Sequence, residues 1–120
     1  MLRYIELKSD QNDRGPAWIG RVKLSKSGNT VYFNGMALKR GGGVSGNHVD
    51  LESGNEYWVS GVKKDGSDRH WAGSGMIAIE ESAVPEYLTI VGKSTLDRNR
   101  LEIIPDLPET DIQRLYKLEN

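Results

Sequence analysis

The sequence predicts a mainly β protein, a small curled antiparallel sheet with one flanking helix and a short C-terminal helical tail. Three observations carry this. Short alternating runs cut by glycine fill the first two thirds of the chain, Asn34-Gly35 is the preferred dipeptide of a tight hairpin, and helical spacing of apolar residues begins only after Glu80. At 120 residues the chain has room for one domain and a short extension.

Taken in order, residues 3–8 alternate, with Ile5 and Leu7 on one face and Tyr4, Glu6 and Lys8 on the other, the pattern of a half-buried strand. Gly15-Pro16 closes a polar loop, and residues 17–24 alternate again with Trp18, Val22 and Leu24 inward. Residues 26–29 turn, Thr30 to Phe33 is β-branched and aromatic, and Met36 to Lys39 is the return strand after Asn34-Gly35. Residues 40–47 carry four glycines and read as a mobile loop. His48 to Glu52 forms a short strand and residues 56–63 a strong one, with Tyr57, Val59 and Lys63 on one face and Trp58, Ser60 and Val62 on the other. Lys64-Asp65-Gly66 reads as a hairpin turn into a strand from Arg69 to Glu80, which Gly73 and Gly75 bend. About six short strands joined by tight turns suit an SH3-like barrel.

Beyond Glu80, Ser82 is placed to cap a helix carrying Val84, Tyr87, Leu88 and Val91, and Gly92 to stop it. The expected organisation is a β-rich domain over 1–92 and an extension over 93–120. That extension is irregular to Pro108 and then helical at about 109–118, with Ile112, Leu115, Tyr116 and Leu118 in a stripe. So short a helix does not persist alone, and its stripe is expected to dock on its own sheet, as a monomer, ahead of exchange into a homodimer.

Composition excludes several function classes. There is no cysteine, which removes disulfides, thiol catalysis and thiolate metal sites. No apolar run reaches the roughly 18 residues of a membrane helix, and the N-terminus lacks a secretory layout, so a soluble, cytoplasmic protein is expected. The balance runs from +3 over residues 1–75 to −4 over 76–120, with a sequence pI near 6.1. A nucleic-acid domain usually concentrates basic charge and has a pI above about 9, so nucleic acid is an improbable partner.

Two motif resemblances fail on context. Gly41-x-Gly43-x-x-Gly46 matches the dinucleotide glycine pattern but is followed by no helix start, and Gly92-Lys93-Ser94-Thr95 lacks the first glycine of a phosphate loop, since position 87 is Tyr87. Glu80 and Glu81 are adjacent on a strand, point to opposite faces and read as solvated. His48, Asp50 and His70 are the candidates for a small enzyme, yet two histidines fall short of a zinc set, and no nucleophile elbow is present. No cofactor and no metal is expected.

The densest aromatic and cationic group is Tyr57, Trp58, Arg69, His70 and Trp71, beside Lys63 and Lys64. Aromatic rings with Arg and His make a protein-interface hot spot, and also a stacking platform for single-stranded nucleic acid. The first reading leads: a non-enzymatic protein-binding module of inhibitor or immunity type. A nucleic-acid module using Trp58, Arg69, His70 and Trp71 is the alternative, and the small enzyme is the third.

Residues 15–22, 31–35, 56–64 and 69–75 together resemble a family of small uncharacterised bacterial proteins over about residues 1–92. Some members carry the name of a thiamine-dependent sugar-phosphate synthase. That name requires a Gly-Asp-Gly motif followed by a paired Asn, where this chain offers only Lys64-Asp65-Gly66 in a turn. The resemblance implies a bacterial, cytoplasmic protein and no activity.

Overall fold

A computed structural model describes the chain except for residues 12, 13, 44, 70–74 and 120. The strands are β1 (Leu2–Leu7), β2 (Ala17–Arg21), β3 (Lys23–Leu24), β4 (Thr30–Phe33), β5 (Met36–Arg40), β6 (His48–Asp50), β7 (Glu56–Gly61), β8 (Ile77–Glu80) and β9 (Leu101–Ile104). The helices are α1 (Val84–Val91), preceded by the 3-10 turn Glu81–Ala83, and α2 (Ile112–Tyr116), followed by a second 3-10 turn. All nine strands form one curled, half-barrel sheet in the order β3-β4-β5-β6-β7-β1-β2-β8-β9. β2 and β3 are separated only by Val22 yet occupy distant places in that order, so one bent stretch of chain brings the sheet round on itself.

The Asn34-Gly35 turn forms as expected: both residues are left-handed (φ 49° and 77°), the geometry that matches the twist of a two-residue hairpin. Gly92 ends α1 in the left-handed conformation (φ 68°), its N–H bonding back to the last turn. Ser82 does not cap the helix with its side chain. Pro85 starts it instead, and the Ser82 N–H is taken by Asp106 Oδ1 at 2.9 Å.

The sheet is mixed where an antiparallel one was expected. β8 runs parallel to β2, and β9 parallel to β8, because the connections into them are the long crossover over residues 62–76 and the α1 helix. The described part of the expected strand from Arg69 is limited to Ile77–Glu80, and Gly73, with its expected bend, lies outside the described residues. The stretch expected to be irregular, 93–108, contributes β9, with Leu101 buried against the sheet.

Among the described residues, three apolar clusters hold the fold. The barrel interior packs Ile5, Val22, Val31, Phe33, Leu38, Tyr57 and Val59, and Trp18 meets Phe33 edge-on. The opposite face of β1, β2 and β8 packs Leu2, Tyr4, Ile19, Ile77 and Ile79 beneath Tyr87 of α1. Tyr4 and Glu6, read as the outer face of a half-buried strand, are thus 0% and 1% exposed: this part of the sheet is covered on both sides. Leu24, expected inward, is 39% exposed, because β3 is a two-residue edge strand.

The third cluster holds the C-terminal helix. Leu115 is fully buried against Tyr32 and Ala37 on the outer face of β4 and β5, with Ile112 and Leu51 beside it. Asp111 caps α2 through Arg114 N, Arg114 pairs with Glu52, and the Glu119 carboxylate accepts from Thr30 Oγ1 (2.6 Å) and Tyr32 Oη (2.5 Å). Burial and that carboxylate push the Tyr32 hydroxyl up to about 12. Tyr116 and Leu118 are exposed. No helix among the described residues is long and apolar enough to cross a membrane.

Candidate functional site

Among the described residues of the group that the sequence assembled, the structure separates Tyr57, Trp58 and Arg69. Alternation along β7 sends Tyr57 into the barrel interior, 7% exposed, and leaves Trp58 displayed on the outer face at 41%. Arg69 is buried rather than displayed: Nη2 donates to Gly15 O at 3.0 Å, and Nη1 lies 3.6 Å from Glu6 Oε2. Glu6 also faces Lys8 Nζ at 3.0 Å and accepts from the Tyr4 hydroxyl at 2.5 Å. Burial and then Glu6 drive the Tyr4 phenol far above its ordinary range. Beside it, desolvation raises the Asp68 carboxyl, whose Oδ1 accepts from Lys63 N at 2.7 Å. This ionic cluster ties the crossover to the loop before β2, a structural duty for Arg69. His70 and Trp71 lie outside the described residues.

His48 and Asp50 face the barrel interior from β6, both less than 7% exposed, next to Arg40 and Leu38 in register on β5. The Asn47 amide fixes the His48 tautomer. Its Nδ2 donates to Val59 O and its Oδ1 accepts from Val59 N, both at 2.8 Å, so the His48 Nδ1 at 2.9 Å from that Oδ1 carries the proton. Burial, and then Arg40, hold the imidazole below its ordinary range. Asp50 is committed to its own turn, accepting from Glu52 N and Ser53 Oγ. The two side chains therefore do not act on one proton. Among the described residues no three His, Asp or Glu groups are placed to share a metal ion.

Among the described residues of the glycine-rich loop, three backbone N–H groups converge on one carboxylate. Glu56 Oε1 accepts from the backbone N–H groups of Gly43 (2.9 Å), Ser45 (3.3 Å) and Gly46 (3.0 Å), which lowers the Glu56 carboxyl below its usual range. A Cβ at Gly46 would meet Tyr57 O at 2.7 Å, which is why glycine stands there.

The feature the sequence did not reveal is a cleft of about 350 Å³ at one end of the barrel. Its apolar side is made by Met1, Val22, Phe33 and Leu107, and its rim carries Lys23, Asn34, Glu109 and Thr110. Residues 106–110 close one side of it. Glu80, expected to be solvated, is 7% exposed here: Oε1 accepts from Arg21 N (3.0 Å) and Oε2 from Leu107 N (2.8 Å). Asp106 holds Ser82 N, and Thr110 Oγ1 accepts from Gly35 N at 3.0 Å. Arg21 is engaged with Glu86 and Ser82 O. A cavity of this size at the mouth of a barrel, apolar within and polar at the rim, is the usual form of a recognition site. Its one sequence signal is Leu107 between prolines, which alone does not say where the segment lands. Comparison with family models, curated proteins and solved structures returns no match for this chain.

Proposed function

We propose that the chain is a non-enzymatic binding module whose partner is another protein, and that the partner docks at the barrel-end cleft. The observation that carries this is the cleft itself: an apolar recess beside Val22, Phe33 and Leu107 with a polar rim, at one end of the curled sheet. Of the ionisable groups lining it, buried Glu80 and exposed Asp106 accept from backbone N–H groups and Arg21 pairs with Glu86, so they serve the scaffold and not a reacting substrate. The nucleic-acid alternative would need Arg69 on the surface, and that side chain is buried.

Charge reversal at the exposed rim tests the reading. Lys23→Glu with Glu109→Lys, compared with Trp58→Ala, is used to capture partners from the source lysate. A protein retained by the wild type and Trp58→Ala but lost from the rim variant supports docking at the cleft. A protein lost only from Trp58→Ala moves the site to the outer face and refutes the proposal.

A further inference from the structure

Residues 105–110 are built unlike the rest of the barrel. The nine described strands are joined by β ladders, whereas this segment has no regular structure and, among the described residues, is tied by side-chain-to-backbone bonds: Glu80 to Leu107 N, Asp106 to Ser82 N, and Thr110 to Gly35 N. Pro105 and Pro108 keep the segment extended at low entropic cost. Leu107 is its only apolar anchor and joins the barrel-interior cluster while remaining partly exposed. An extended chain, one leucine inserted in a recess, a buried carboxylate receiving the N–H of that leucine, and a hydroxyl receiving a turn N–H together make a peptide-recognition arrangement, here filled in cis.

We infer that the barrel end is a peptide-binding groove occupied by the chain's own Pro-Asp-Leu-Pro-Glu-Thr segment, and that the external partner presents an extended segment of the same chemistry, a leucine flanked by proline and acidic residues, which competes with it. This rests on the reading that the barrel end is the docking face. The cleft beside the strap is then the part of the groove left open, and displacing Leu107 lengthens it. The cis segment competes at high effective concentration, so the groove in the intact chain binds weakly until the strap is loosened.

The test uses the full chain and a synthetic peptide of residues 103–112, followed by amide NMR. Leu107→Ala with Thr110→Val loosens the strap. The peptide is expected to bind that variant saturably, shifting Val22, Phe33 and Gly35, and to bind the wild type at least tenfold more weakly. A peptide carrying Leu107→Asp is expected not to bind. Absence of binding to a folded double variant, equal binding to both proteins, or shifts elsewhere would overturn the proposal. Should the double variant not fold, hydrogen exchange on the wild type decides. Leu107 and Gly35 amides are expected to exchange together through a local opening, faster than the β4–β5 ladder at Ala37; exchange of all three only by global unfolding makes the strap part of the core and sinks the idea. A concentration-dependent dimer with exchanged straps would name a second copy as occupant, against an external partner. Peptide binding with unchanged partner capture by the rim variant would leave the groove standing and refute the docking reading alone.

Discussion

Replacing Leu115 by Ala tests whether the C-terminal helix belongs to the fold. The side chain is fully buried against Tyr32 and Ala37, with Ile112 and Leu51 alongside, on the outer face of β4 and β5. Truncating a buried leucine removes transfer free energy and leaves a cavity, together about 2–5 kcal/mol. This cluster is small and bordered by half-exposed side chains able to relax inward, so the expected loss is at the low end, about 2–3 kcal/mol. For a chain of this size that lowers Tm by roughly 8–12 °C. Tyr116→Ser and Leu118→Ser, at exposed positions on the same tail, are expected to stay within about 0.5 kcal/mol. Urea unfolding of the three variants, with light scattering to record mass, measures the contrast. A Leu115→Ala loss below about 1 kcal/mol, or one equal to that of Tyr116→Ser, would show that the helix does not dock as described.

Three further outcomes follow from particular contacts. Truncation after Lys93 removes β9, Leu107 and Leu115, leaving β8 as an unprotected edge, and the truncated chain is expected to lose its cooperative thermal transition by calorimetry. His48 is held below its ordinary value, so the folded state binds fewer protons than the unfolded chain. Stability is therefore full above about pH 6.5 and falls as the pH drops through that value, and His48→Asn, which preserves the donor to Asn47, is expected to flatten that slope in urea midpoints between pH 8 and 5.5. Gly20→Ala would drive a methyl to 2.6 Å from Phe33 and into the Glu80 carboxylate, costing about 1–3 kcal/mol, whereas Gly61→Ala meets nothing within 4 Å and is expected to be near neutral by the same unfolding assay.

Local chemistry made much of this protein legible in one dimension. Asn34-Gly35 specified its hairpin because both residues tolerate left-handed backbone, Gly92 stopped α1 for the same reason, and alternation along β7 put Tyr57 and Trp58 on opposite faces, though not which face is buried. The apolar stripe of the tail was visible, and so was its need for a partner surface.

Tertiary structure decided the rest, because it depends on what lies across a contact. Alternation in β1 indicates one buried face. Only the arrival of α1 and the crossover on the other side buries Tyr4 and Glu6, and only the ionic cluster there turns Arg69 from a displayed cation into a clamp. Parallel pairing of β2 with β8 arises between segments about 60 residues apart, and β9, which α1 returns parallel to β8, lies in a stretch whose two prolines read as irregular. Glu80 looks like any solvated glutamate until Arg21 N and Leu107 N converge on it from opposite ends of the chain. The barrel-end cleft is made in the same way, by a bent strand, a hairpin tip and a proline-flanked strap that the sequence keeps far apart and the fold brings to one place.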